Sequence, residues 1–115
     1  MPTAAETLRI KAYLVVQRNQ VRDYLDVAVL SARYGTRAGA RALLDIDDYY
    51  RDRSGDDDGV LTALVTRLSA PAPRDVRVTR ELATYRNLDA RWQDWSAVVT
   101  ACTDLADALV GELAS

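Results

Sequence analysis

The sequence predicts an all-α fold, a compact bundle of five to six helices with no significant sheet. Apolar residues recur at helical spacing along most of the chain, so each predicted helix has one apolar face. No alternating apolar and polar run extends beyond a few residues, which argues against strands. Only five glycines and three prolines occur in 115 residues, and most of them lie between the periodic segments or at their ends. We therefore expect a single helical domain over residues 1–115.

Two helices are expected at the start of the chain, with a break at Asn19 between them. Thr3 and Glu6 form a capping-box pattern at which the first helix begins. The second helix runs from about Gln20 to Gly35, because glycine is a common residue at helix C-termini. The apolar positions are Leu8, Ala12, Val15 and Val16 in the first helix, with Ile10 and Leu14 beside them, and Val21, Leu25, Ala28, Val29 and Ala32 in the second.

A third helix and a polar loop are expected next. Thr36 can cap this helix, which continues to Tyr49 and Tyr50. The stretch RDRSGDDDG, residues 51–59, is rich in turn-forming and charged residues and is therefore predicted to be a loop.

Three further helices are expected in the second half of the chain. The segment GVLTALVTRLS, residues 59–69, is a fourth helix closed by Pro71 and Pro73. A shorter fifth helix spans about residues 75–86, and Asp89 caps a long last helix. The apolar stripe of the last helix consists of Trp92, Trp95, Val99, Cys102, Ala106, Leu109 and Leu113.

The composition argues against several classes of function. A formal net charge of −2 and a pI near 5.0 do not favour nucleic-acid binding. The chain has no histidine, which is the commonest general base and metal ligand. Its single cysteine, Cys102, has no disulfide or zinc partner and is expected to be a buried, inert thiol. Because the sequence has no signal-peptide pattern and no apolar run of membrane-spanning length, we expect a cytoplasmic protein.

A charged cluster on the second helix is the first candidate site. Asp26 follows Asp23 by three residues and Arg22 by four, so we expect the three side chains close together on the helix surface, with Arg18 one turn earlier. Lys11, the only lysine in the chain, lies on the preceding helix. Charged clusters of this kind are often ordinary solvated ion pairs that contribute about 0.2–1 kcal/mol.

The connection at Asn19 predicts where Lys11 lies. A short connection makes the first two helices antiparallel neighbours. Folding back at Asn19 places residue 11 against residues 26–29, so we expect Lys11 and Asp26 to converge.

Two acidic patterns raise the question of a metal site. Residues 35–36 followed by Asp45 and Asp47 resemble the Gly-Ser…Asp-x-Asp signature of nucleotidyltransferases, whose carboxylates hold magnesium on a strand. Here the surroundings predict a helix, in which residues two apart point in roughly opposite directions and cannot share an ion. The acidic run 56–58 does not fit a calcium loop, because Ala63 stands where the bidentate glutamate is needed.

A longer ordered pattern resembles a known family. Glu-Thr-Leu-x-x-Lys-Ala-x-Leu at residues 6–14 is followed by Arg-x-x-x-Arg-Asp-Tyr-x-Asp at residues 18–26. Together they resemble the C-terminal helical part of AbiEii-type proteins, the nucleotidyltransferase-like toxins of abortive-infection toxin–antitoxin systems. In that family a helix with E-x-x-x-x-K-x-x-A-L-x-x-R leads into (K/R)-D-x-x-D-(L/V). The segment RWQDWSAVV, residues 91–99, also resembles a tryptophan-bearing segment near the family's C-terminus, so the resemblance spans most of the chain.

The resemblance implies a role for each charged residue. Lys11 occupies a position expected to bind nucleotide phosphates, and Arg22 and Arg18 are further substrate-binding candidates. Asp23 and Asp26 occupy the family's catalytic aspartate positions. The family's α/β half, which carries the magnesium-binding carboxylates, is absent, so we expect no activity from this chain alone. Magnesium and a nucleoside triphosphate are expected only together with a catalytic partner domain.

The function predicted from the resemblance is a helical accessory or substrate-binding domain of a nucleotidyltransferase-like toxin. Its expected partner is the catalytic half or a cognate antitoxin, with no role for a membrane or for nucleic acid, and a homo-oligomer is left open. The alternative is a non-enzymatic helical interaction module, an antitoxin or scaffold subunit, that binds a partner protein through an exposed apolar groove. A third interpretation is a minimal nucleotidyltransferase that uses Asp45 and Asp47.

Overall fold

The computed structural model describes residues 3–50, 59–84 and 88–114. Across these ranges no residue forms a strand, and the prediction of an all-α fold is confirmed. The helices are α1 (Ala4–Gln17), α2 (Val21–Tyr34), α3 (Thr36–Leu43), α4 (Ile46–Tyr49), α5 (Gly59–Ser69) and α6 (Trp95–Ala114), with short 3-10 turns at Val76–Arg80, Leu82–Thr84 and Ala90–Gln93. None of the helices in these ranges is both long and apolar enough to cross a membrane.

The first two helices begin and end where the sequence predicts. The Thr3 hydroxyl accepts a hydrogen bond of 3.1 Å from the Glu6 amide at the start of α1. Asn19 adopts a φ of 53°, a left-handed conformation that asparagine tolerates better than most residues, and the chain turns back there. Gly35 has a φ of 101°, which requires glycine, and its amide donates to the Ser31 carbonyl at the end of α2.

The third helix is shorter than predicted. It ends at Leu43, and a separate single turn, α4, follows from Ile46. Between them Asp45 leaves helical geometry with φ −102° and ψ 20°, and its carboxylate pairs with Arg9 of α1 at 3.5 Å. Gly35, and not Thr36, is the N-cap of α3. Of the predicted loop 51–59, only Gly59 lies inside the described ranges.

The predicted fifth helix forms 3-10 turns instead of an α-helix. Asp75, at the position of its N-cap, accepts a hydrogen bond of 2.8 Å from the Val21 amide on α2. It therefore does not cap its own segment, and no residue of Val76–Arg80 is buried. Similarly, Asp89 caps a 3-10 turn, and the long helix begins later, where Asp94 accepts from the Ser96 amide at 3.0 Å.

The helices share one continuous hydrophobic core around α6. This helix packs against α2, α3 and α5, and α1 packs against the same three helices. Gly39 permits close packing of α3, because a Cβ there would lie 3.3 Å from Leu8 and 3.7 Å from Leu105. The largest fully buried side chains are Leu8, Tyr24, Leu43, Ile46, Leu64, Leu68, Leu82, Leu105 and Leu109, and each aliphatic one contributes about 1.5–3 kcal/mol of burial free energy.

The α1–α2 junction is hydrogen-bonded to a distant part of the chain. The Asn19 side-chain amide donates to the Ala72 carbonyl at 3.1 Å, and the Arg74 amide donates to the Asn19 carbonyl at 2.8 Å. The buried Tyr24 hydroxyl donates to the Asn19 side-chain oxygen. Burial raises the pKa of Tyr24, whose ring packs edge-on against Trp95 with centroids 6.1 Å apart. The turn at Asn19 is thus fixed by side chains as well as by backbone conformation.

Candidate functional site

Lys11 and Asp26 meet across the antiparallel α1–α2 pair. The Lys11 ammonium lies 3.2 Å from an Asp26 carboxylate oxygen, and the two side chains are 35% and 28% exposed. The predicted convergence of these residues is therefore confirmed as geometry. Their partial exposure allows contact with a ligand, because water still reaches both charged groups.

A cleft lies beside this ion pair. It has a volume of about 300 Å³ and is formed by α1, α2 and the segment before the last 3-10 turn. We call it the α1–α2 cleft, and it is lined by Thr7, Lys11, Leu25, Asp26, Val29, Leu30, Arg33 and Leu88. Concave sites that are mostly apolar and hold a few charged groups are the usual form of small-molecule sites.

The charges of the α1–α2 cleft are unevenly balanced. Lys11 is neutralised by Asp26, whereas Arg33 has no ion-pair partner among the residues that the structure describes. Arg33 is seven residues after Asp26 on α2, which corresponds to about 10 Å along the helix axis. The cleft therefore has a neutral ion pair towards one end and an unpaired cation towards the other.

Asp23 lies in the interior and does not reach the cleft. Its side chain is fully buried, accepts a hydrogen bond of 3.1 Å from the Gln20 amide and forms an ion pair with Arg18. The hydrogen bond that Arg18 donates to the Asp23 carboxylate, together with the negative charge of that carboxylate, raises the pKa of Arg18. The prediction that Arg22, Asp23 and Asp26 share one surface is wrong, because the third residue of α2 points back to the preceding turn. Arg22 is exposed and makes no ion pair with Asp26 in the described structure.

Asp45 and Asp47 have different partners. Asp45 pairs with Arg9, while Asp47 accepts hydrogen bonds from the Val60 and Leu61 amides at 2.8 and 3.0 Å and so caps α5. Among residues 3–50, 59–84 and 88–114 no group of three acidic or cysteine side chains could hold a metal ion. The geometry thus opposes a shared metal at Asp45 and Asp47. The acidic run 56–58 lies outside the described residues.

Cys102 is buried, as predicted. Its thiol donates a weak hydrogen bond to the Tyr24 carbonyl at 3.7 Å, and burial raises its pKa to about 12. Because the thiolate is the reactive form, this environment suppresses nucleophilic chemistry near neutral pH.

A second concave surface lies between α3 and α6. Arg37 and Arg41 approach Glu112 at 3.6 and 3.4 Å, and the groove has a volume of about 530 Å³. It is open and its arginines are more than half exposed, so we regard these ion pairs as surface contacts between the two helices.

Comparison with known proteins relates this helical fold to transport proteins of mycobacteria. Over 112 residues, 97% of its length, the chain is 36% identical to the mycolic acid-containing lipids exporter MmpL11 of Mycolicibacterium smegmatis. It is 35% identical to the probable transport protein MmpL11 of Mycobacterium leprae and 33% identical to the heme uptake protein MmpL11 of Mycobacterium tuberculosis. The chain spans about 11% of the length of each of these relatives. No protein-family model and no solved structure matches it.

These similarities overturn the prediction of an AbiEii-type protein. The relatives are MmpL11 transport proteins, so the assignment to a nucleotidyltransferase-like toxin and to a toxin–antitoxin system is wrong. The predicted function as a nucleotidyltransferase accessory domain is therefore also wrong. The alternative of an antitoxin or scaffold subunit is not supported by these relatives. The predicted partners, a catalytic half or an antitoxin with no membrane, are also wrong, because the relatives are membrane transporters.

The sequence pattern finds only part of the α1–α2 cleft. Lys11 and Asp26 are identified because they flank a predictable turn. Val29 is recognised as an apolar position, but Leu30 and Arg33 carry no motif that distinguishes them from other residues of α2. Leu88 lies between two predicted helices and belongs to no predicted apolar face, so only the three-dimensional structure brings it to the cleft.

Proposed function

We propose that this chain acts as a helical domain of an MmpL11-type transporter and serves the export of mycolic acid-containing lipids. The observation that carries this proposal is the 36% identity with the M. smegmatis exporter over 97% of the chain. The matched length includes all six helices and is not confined to one short motif. Similarity of that extent favours a common role for the domain.

The organisation of the core supports the same proposal. Side chains from α1, α2, α3, α5 and α6 belong to one hydrophobic cluster. The matching segment of the exporter is therefore expected to fold around its own core as a unit. Such a unit can be exchanged between proteins without cutting through a shared core.

The composition favours lipid export over heme uptake for this domain. Histidine, the commonest heme ligand, does not occur in the sequence. Cys102 could supply a thiolate, but it is buried and its pKa is raised to about 12. We also propose that the domain has no enzymatic activity of its own and functions on the cytoplasmic side of the membrane. The sequence predicts a cytoplasmic protein that is inactive alone, but it does not predict the membrane.

The test is a domain replacement in the M. smegmatis exporter. The matching 112-residue segment would be replaced by the corresponding residues of this chain in a strain that lacks its own exporter. We expect mycolic acid-containing lipids to reach the cell surface at close to the level of the unmodified exporter. Surface extraction followed by mass spectrometry measures that level.

Two controls make the result interpretable. The native segment reinserted through the same junctions shows whether the junctions themselves are tolerated. An unrelated helical domain of similar length shows whether any folded unit suffices. A replacement protein that is present in the membrane at normal amount but exports no lipid, while the reinserted native segment does, would refute the proposal.

A further inference from the structure

The floor of the α1–α2 cleft is apolar. Leu25, Val29 and Leu30 form one side of it along two turns of α2, and Leu88 closes it from a different part of the chain. Val29, Leu30 and Leu88 retain partly exposed apolar surface, which favours contact with an apolar ligand, whereas Leu25 belongs to the buried core. A volume of about 300 Å³ holds about ten groups the size of a water molecule.

The charged residues that line the cleft favour an anionic ligand. Asp26 is already paired with Lys11, so it offers no free negative charge to a cationic ligand. Arg33 lines the same cleft without an ion-pair partner in the described part of the chain. A guanidinium can bind a carboxylate through two parallel hydrogen bonds. An anionic group on the ligand is thus complementary to the position of Arg33.

We propose that the α1–α2 cleft binds a medium-chain fatty acid, with its alkyl chain on the apolar floor and its carboxylate on Arg33. The volume of the cleft accommodates a chain of about ten carbons, since a methylene group is close in size to a water molecule. This site goes beyond the proposed role in transport, and binding measurements on the isolated chain are sufficient to test it.

The probe for the test is sodium decanoate, kept below its micelle-forming concentration. Titration calorimetry with the full chain should give saturable binding to one site. Sodium acetate carries the charge without the chain, and 1-decanol carries the chain without the charge. We expect no measurable binding of acetate and weaker binding of 1-decanol. Equal affinity for decanoate and 1-decanol, or no saturable binding of decanoate, would overturn the proposal.

Variants locate the binding site on the chain. Arg33→Gln should weaken decanoate binding about threefold, because an ion pair with an exposed arginine contributes about 0–1 kcal/mol, and should leave 1-decanol binding unchanged. Arg22→Gln is the matched control, because Arg22 is an exposed arginine on the same helix that does not line the cleft. Leu30→Ser should weaken decanoate and 1-decanol alike.

Thermal unfolding by circular dichroism establishes that each variant is folded before it is titrated. Equal loss of decanoate binding in the Arg33 and Arg22 variants would indicate non-specific attraction and contradict the proposal. Analytical ultracentrifugation tests a second copy of the chain as the occupant. Dimerisation that decanoate does not displace and that Leu30→Ser abolishes would also contradict it. None of these outcomes depends on lipid export, so failure here is distinct from failure of the transport proposal.

Discussion

Replacing the buried Asp23 with alanine should destabilise the protein by about 2 kcal/mol, because hydrogen bonds to a charged group contribute about 1.5–3 kcal/mol. The Asp23 carboxylate is fully buried and accepts the Gln20 amide at 3.1 Å at the start of α2. Alanine leaves that amide without its acceptor. The Arg18 head group, which is 47% exposed, regains water when its partner is removed, so we count only the backbone hydrogen bond.

Asp26→Ala is the matched control for this prediction. Asp26 lies one turn further along the same helix and pairs with Lys11, but both side chains are partly exposed. Removing an exposed ion pair costs about 0–1 kcal/mol. Asp23→Asn should fall between the two, because the amide oxygen can still accept from Gln20 while the charge is lost. Urea unfolding followed by far-UV circular dichroism gives all three free energies of unfolding. If Asp23→Ala and Asp26→Ala lose the same amount, burial is not what distinguishes these aspartates and the reasoning is refuted.

Three further predictions concern other parts of the fold. Burial raises the pKa of Cys102 from 9.0 to about 12, so above pH 9 the native thiol keeps a proton that the unfolded chain loses. Stability should therefore fall by about 1 kcal/mol between pH 9 and 10, and Cys102→Ala should flatten this decline in urea midpoints measured over that range. Asp47→Ala removes the acceptor for two amides at the start of α5 and should lower the free energy of unfolding in urea by about 1–2 kcal/mol. Asp48→Ala, at an exposed neighbouring position, is the control and should change it by less than about 0.5 kcal/mol. Gly111→Ala should stabilise α6 by about 0.5–1 kcal/mol, since nothing lies within 4 Å of the new Cβ. Gly39→Ala should stabilise the protein less, because its Cβ would be 3.3 Å from a buried leucine. A larger rise in thermal stability from Gly39→Ala than from Gly111→Ala would contradict this packing argument.

Turns set by single residues could be predicted from the sequence. Asn19 and Gly35 are residue types that tolerate a positive φ, and both adopt one where the helices were expected to break. The convergence of Lys11 and Asp26 followed from the break at Asn19, because a tight turn leaves an antiparallel pair as the simplest packing. Such features depend on local conformation, which a single sequence encodes directly.

Features that depend on distant contacts could not be predicted. Asp75 lies at the start of the predicted fifth helix, but its carboxylate accepts the Val21 amide, and the described part of that helix consists of 3-10 turns. The sequence predicts Asp23 as a surface charge, yet its side chain is fully buried and accepts the amide of Gln20, which precedes α2. The same residue type serves as cap, buried acceptor or surface ion, and tertiary contacts decide among these roles.

The resemblance to AbiEii-type proteins failed for a related physical reason. An Arg-Asp-x-x-Asp pattern places charges at spacings that also suit an ordinary helix start and an interhelical ion pair. In this fold Asp23 stabilises the start of α2 and Asp26 pairs with Lys11, so the pattern is explained by structure. The similarity to MmpL11 proteins extends over 97% of the chain and therefore carries more information than the short motifs on which the AbiEii resemblance was based.

The hydrogen bonds at the α1–α2 junction have a consequence for the order of folding. The turn at Asn19 is local, but the bonds from Asn19 to Ala72 and from Val21 to Asp75 join residues that are 53 and 54 positions apart. Bringing these segments together closes a long loop, and the entropy of that closure is lost before the bonds form. The α1–α2 pair can therefore form early only without its final geometry. That geometry requires α5 and the segment after it to pack against the junction first. The last native contacts of this protein are expected to form near its beginning.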